Sequence, residues 1–142
     1  MIKYIVTGGA GFIGSHIVEY LVKKNKKIVV LDNLSTGRIE NLDRFKKKIK
    51  FVKCDISKKG KWIKEFSGKC YVFHFAALAD IVPSIQTPKK YFDANVNGTI
   101  NILEACKKAI ILKFIYAASS SCYGIPKKYP TDENEKIDPQ YP

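Results

Sequence analysis

Thr7-Gly8-Gly9-Ala10-Gly11-Phe12-Ile13-Gly14-Ser15 stands between an apolar run, Ile2 to Val6, and a segment in which Ile13, Ile17, Val18, Leu21 and Val22 recur three and four residues apart. The run reads as a buried strand, and the recurring residues form the apolar stripe of an amphipathic helix. Strand, glycine-rich turn and helix therefore follow directly. Gly8, Gly11 and Gly14, in GxxGxxG spacing, answer three geometric needs: a tight turn, room for a pyrophosphate beside the amides at the helix N-terminus, and close packing of helix on strand. A helix-entry turn without ligand is the bland alternative. A glycine triplet alone is weak evidence, and its position between strand and helix makes it specific.

A second strand-like run, Lys27 to Leu31, leads into Asp32, 18 residues past Gly14. A carboxylate there accepts a hydrogen bond from a ribose 2′-hydroxyl and repels a 2′-phosphate, which favours NAD over NADP. Two alternatives stay open: Asp32 as a plain turn residue, and Arg38 as a partner for a 2′-phosphate. Further strands are predicted at Lys50 to Lys53, Cys70 to Phe75 and Lys113 to Ala118, with helices over Arg38 to Phe45 and Lys58 to Phe66, where Trp62, Ile63 and Phe66 face the sheet. The longest helical pattern runs from Tyr91 to Lys108, with Phe92, Val96, Leu103 and Cys106 as its inward stripe and Pro88 near its start. Strands alternating with helices predict an α/β fold, a Rossmann-like doubly wound parallel sheet of five strands in the order 3-2-1-4-5. Residues 1–124 form its dinucleotide-binding part. After Tyr123 the periodicity stops, and 125–142 read as a polar, proline-rich loop.

The 142 residues, 46% of them hydrophobic, suffice for one domain with a core and not for two ordinary ones. No stretch is apolar enough for a membrane span, and no cationic leader precedes the first strand, so a cytoplasmic protein without a membrane partner is expected. Cys54, Cys70, Cys106 and Cys122 are irregularly spaced and fit reduced core thiols; no metal site is expected. The net charge of +12 raises the question of nucleic acid. Its lysines are scattered through places such as Lys23 to Lys27 and Lys46 to Lys48, as on solvated faces, and no nucleic-acid partner is expected. A basic nucleic-acid binder would show affinity falling steeply with salt.

TGGAGFIGS, DNLSTG, CDI, HFAALAD, DANVNGT and YAASSSCYG resemble, in order and spacing, the motifs of extended short-chain dehydrogenases/reductases, and the likeness covers essentially the whole chain. It implies an NAD site built from Gly8, Gly11, Phe12, Ile13 and Gly14, from Asp32, Asn33, Ser35, Thr36 and Gly37, from Asp55 and Ile56 flanking the adenine, from Phe75, Ala76, Ala77 and Leu78 along the nicotinamide-side ribose and phosphates, and from Asn95 on the long helix. By register Ser119 matches the catalytic Ser/Thr that hydrogen-bonds the reacting sugar hydroxyl, while Ser120, Ser121 and Ser84 would contact substrate.

Three reactions are common on this scaffold: 4-epimerisation, 4,6-dehydration and reduction. Dehydratases of the family carry an Asp-Glu pair after their Thr, where this chain has Ser120 and Ser121. The segments look most like NAD-dependent UDP-glucose and UDP-N-acetylglucosamine 4-epimerases, which feed surface polysaccharide synthesis. That likeness implies a UDP-sugar substrate and a homodimer for the full-length enzyme. The family's base is a tyrosine in a Tyr-x-x-x-Lys pair, whose cation lowers the phenol's pKa. Register with Pro139-Gln140-Tyr141-Pro142 makes Tyr141 the preceding variable position and puts the pair, and the C-terminal substrate domain, beyond this chain. A chain that binds dinucleotide and catalyses nothing alone is the competing expectation.

Overall fold

The computed structural model describes residues 1–140; Tyr141, read above as a variable position, lies outside the described residues. Five strands, β1 (Lys3–Thr7), β2 (Lys27–Asp32), β3 (Ile49–Lys53), β4 (Lys69–His74) and β5 (Ile110–Tyr116), form one parallel sheet in the order β3-β2-β1-β4-β5. Register aligns Thr7 with both Leu31 and His74, and His74 with Tyr116, so the strands' carboxyl ends share one edge. The order reverses at β1, which opens the crevice where such sheets bind ligands.

Each face of the sheet carries its own core. Helix α1 (Phe12–Lys23) sets Val18, Leu21 and Val22 against Val6, Ile28 and Val30 on one face. On the other, Ile5, Val29, Leu31 and Val72 pack with Trp62, Phe66, Ile102 and Ala105. Burial on both faces explains the continuous apolar runs of β1 and β2.

The two short predicted helices form as single stretches of 3-10 helix, Ile39–Phe45 and Lys61–Glu65. Each must carry the chain back along the sheet in few residues, and the 3-10 form rises about 2.0 Å per residue against about 1.5 Å for an α-helix. Trp62 and Phe66 face the core as expected.

The long helical pattern needs a larger correction. It is resolved into α2 (Ile81–Gln86), α3 (Pro88–Tyr91), a π-helical stretch over Phe92–Asn97 and α4 (Gly98–Cys106). Of the predicted inward stripe only Cys106 is buried; Phe92, Val96 and Leu103 are exposed, and Gly98, Ile102 and Ala105 take the inward face. The wider π-turn places one more residue in its ring than an α-turn, which rotates the side chains relative to an unbroken 3.6-residue count. The strand at β5 also begins earlier than its composition suggests, with Ile110 and Ile111 pairing to Lys69 and Cys70 ahead of a bulge. From 125 to 140 the chain is loop, tied back by the Asp138 amide donating to the Cys122 carbonyl at 2.9 Å. No helix among the described residues is long and apolar enough to cross a membrane.

Candidate dinucleotide site

The turn after β1 is built by close backbone approaches. Gly8 adopts φ +66°, and a Cβ on it would lie 2.7 Å from the Ala76 nitrogen. A Cβ on Gly14 would strike the Gly8 carbonyl oxygen and sit 2.7 Å from the Gly9 Cα. At Gly11 the nearest atom to such a Cβ is the Gly8 oxygen, at 3.2 Å, and this residue lines the cavity. The Ser15 amide is the first of α1 to bond back, to the Gly11 carbonyl at 2.9 Å. The amides of Phe12, Ile13 and Gly14 precede it at an N-terminus that no side chain caps, which leaves donors for an anion.

Asp32 ends β2 almost wholly buried, 7% exposed. Its Oδ2 accepts from the Ala10 amide at 2.9 Å and its Oδ1 from the Leu34 amide at 2.8 Å. These bonds aim the carboxylate and leave each oxygen acceptor capacity for a ribose hydroxyl. Gly37 comes down on it so closely that a Cβ there would be 3.1 Å from Oδ1. Asp55 Oδ1 accepts from the Ser57 amide at 2.9 Å, which fixes the turn that presents Ile56.

These parts enclose a cavity of about 770 Å³. Its walls include the glycine turn, Asp32 to Gly37 without Leu34, Asp55 and Ile56, and Phe75 to Leu78. Of the cofactor residues named from the sequence, Asn95 alone stands behind the wall: its Oδ1 accepts from the Leu78 amide at 2.8 Å and its Nδ2 donates to the Leu78 carbonyl at 2.9 Å. Lys58, Lys89 and Asp93 also line the cavity; the two lysines lie outside the motifs, and Asp93 opens DANVNGT without having been singled out for the cofactor. Cys54 lines it too, and burial, with Asp32 and Asp55 nearby, pushes its thiol up to about 11, so it stays protonated and unreactive.

The serines divide. Ser119 is exposed and caps the 3-10 turn Ser120–Tyr123, its Oγ accepting from the Ser121 amide at 3.2 Å. Ala117, two residues earlier, lines the cavity, so Ser119, Ser120 and Ser121 stand just past its β5 wall. Ser84 is buried, and its hydroxyl donates to the Ile81 carbonyl at 2.6 Å outside that wall. The Tyr-x-x-x-Lys spacing, placed above only beyond the chain, does occur within it, at Tyr20/Lys24 and Tyr123/Lys127. Lys24 lies 5.7 Å over the Tyr20 ring at the end of α1 remote from the glycine turn, and Gly124 at φ +62° with Pro126 keeps the second pair off a common helix.

This arrangement is suited to an extended ligand with a diphosphate at its middle. A family model described as GDP-mannose 4,6 dehydratase matches residues 5–142. The chain belongs to this family. Its membership agrees with the motifs of extended short-chain dehydrogenases/reductases. A putative UDP-glucose 4-epimerase of Methanocaldococcus jannaschii is 44% identical over 140 residues, 97% of this chain and 45% of that protein. The solved UDP-N-acetylglucosamine 4-epimerase of Methanobrevibacter ruminantium, in complex with UDP-N-acetylmuramic acid, superposes with TM-score 0.89 at 37% identity, over 98% of this chain and 44% of that one. The UDP-glucose 4-epimerase of Brucella ovis, solved in complex with NAD, gives 0.85 at 33% identity, over 99% and 43%. The chain spans less than half the length of these relatives.

Proposed function

We propose that this chain holds NAD and forms the cofactor half of a UDP-sugar 4-epimerase. One observation carries the reading: Asp32, the uncapped start of α1 and the Phe75–Leu78 segment converge on one cavity, which supports a dinucleotide as its occupant. The residues fit the cofactor. Asp32 would hold the adenosine ribose and disfavour a 2′-phosphate, the free amides of Phe12, Ile13 and Gly14 the diphosphate, Asp55 and Ile56 the adenine. Bound NAD supplies a hydride acceptor that is restored within each turnover. Ser119 would hydrogen-bond the reacting sugar hydroxyl from the rim, with Ser120 and Ser121 beside the substrate. Neither of these serines can act as the acid and base of dehydration, which favours epimerisation despite the dehydratase in the family description. Ser84, whose hydroxyl donates to the Ile81 carbonyl, would meet the sugar nucleotide as an acceptor.

Calorimetric titration with NAD is the test. Micromolar or tighter binding, weakened at least tenfold in Asp32→Ala and much weaker for NADP, is the expected result. A flat titration of folded protein removes the reading. Epimerase turnover is proposed for a whole protein of the relatives' length, and the chain alone should bind without turning over. The exposed stripe of Phe92, Val96, Ile100 and Leu103 supports a homodimer of that protein, and Val96→Glu should lower the mass it shows by light scattering. Its four cysteines, all free, suit the cytoplasm.

A further inference from the structure

His74 ends β4 with its ring 1% exposed, and both nitrogens have partners. Nδ1 lies 2.6 Å from Thr7 Oγ1 and Nε2 lies 3.0 Å from Thr99 Oγ1. Thr99 gives its hydroxyl proton to the Asn95 carbonyl at 2.6 Å, so toward His74 it can only accept. Nε2 therefore carries a proton, and Nδ1 accepts from Thr7, whose oxygen is already occupied by two amides, so the imidazole is neutral. The Thr7 oxygen in turn accepts from the amides of Phe75 and Ala76, both at 3.2 Å.

A closed ring results. Thr7 pins Phe75 and Ala76 at one end of the cavity wall, the Asn95 side chain pins Leu78 at the other, and His74 with Thr99 joins the two anchors. Packing alone would be served by a phenylalanine between Phe114 and Tyr116, whose rings lie 5.9 and 5.8 Å from the imidazole, without the cost of burying a polar group. We propose that His74, locked as one tautomer between Thr7 and Thr99, is a positioning residue that sets the Phe75–Leu78 wall for the nicotinamide half of the dinucleotide. The proposal rests on the NAD reading above. It gives His74 no contact with the ligand.

The variant His74→Phe keeps the ring and removes both of its bonds, and Thr99→Val, nearly isosteric, removes one bond to His74 together with the one Thr99 gives Asn95. NAD and ADP are titrated into each by calorimetry, because ADP reaches only the adenosine and diphosphate parts of the site. Affinity for NAD should fall tenfold or more in His74→Phe, and by less in Thr99→Val, while ADP stays within twofold. A merely structural histidine would weaken both ligands alike or neither, and either result overturns the proposal. Should His74→Phe fail to fold, Thr99→Val carries the comparison. If the unaltered chain binds neither ligand, the NAD reading is what fails. The ring is then judged by amide exchange of Phe75, Ala76 and Leu78, which should quicken at least tenfold in the variants while β2 is unchanged; an unchanged rate for these three amides overturns it.

Discussion

Replacing Gly14 by alanine is expected to cost roughly 3 kcal/mol of stability, the upper part of the ordinary range for overpacking, and to abolish dinucleotide binding. The added methyl would meet backbone on its near sides, the Gly8 carbonyl group and the Gly9 Cα, and neither can rotate away as a side chain could. Relief requires α1 to lift from β1. That uncovers Val18, Leu21 and Val22 and moves the amides of Phe12 and Ile13 together. A domain of this size has only about 5–15 kcal/mol in hand, so the urea midpoint should fall markedly. Gly11→Ala is the informative partner. Its methyl meets one oxygen at 3.2 Å and otherwise points to the cavity, so it should weaken NAD binding with little change in unfolding. Equal loss of stability in the two variants would contradict this account of the turn.

The second large effect is a loss of stability on acidification that begins well above the carboxylate range. Burial lowers the His74 imidazole from its ordinary 6.5 to about 4. Below pH 6.5 the unfolded chain takes up a proton that the folded chain refuses, so folding free energy is lost as pH falls toward 4 and not further. At 1.36 kcal/mol per unit the whole window is worth roughly 3 kcal/mol. The groups against the ring are Thr7, Thr99, Phe114 and Tyr116, none of which carries charge in that window. Glu19, Asp93 and Glu104 are held below their ordinary values chiefly by hydrogen bonds from Lys23, Lys89 and Lys107. Their contribution is present above the ordinary carboxylate pKa and lost only below it, which leaves pH 6.5 to 5 to the histidine. Unfolding of the chain and of His74→Phe, measured across that interval, should show a slope in the first and a flatter line in the second. Parallel lines would show that His74 protonates readily in the folded state.

Both effects arise where two kinds of information meet. The glycine turn, Asp32 and the parallel order were legible in the amino-acid sequence because each depends on neighbours close along the chain: GxxGxxG between strand and helix is a local geometry, and alternating apolar runs state the layer pattern directly. The cavity walls named from motifs came together for the same reason, since consecutive residues at a strand's carboxyl end must share one edge of a parallel sheet. Periodicity failed from Phe92 to Leu103, where a π-turn, stabilised by contacts elsewhere in the fold, rotated the predicted stripe to the outside.

What the chain's order alone determined was the sheet, its turn and the identity of the acid that ends β2. Tertiary structure alone decided that Thr7, His74, Asn95 and Thr99, drawn from four separate elements, close one hydrogen-bonded ring. No pattern announces such a ring, because its bonds span separations of up to 69 residues and exist only once the helices have settled on the sheet.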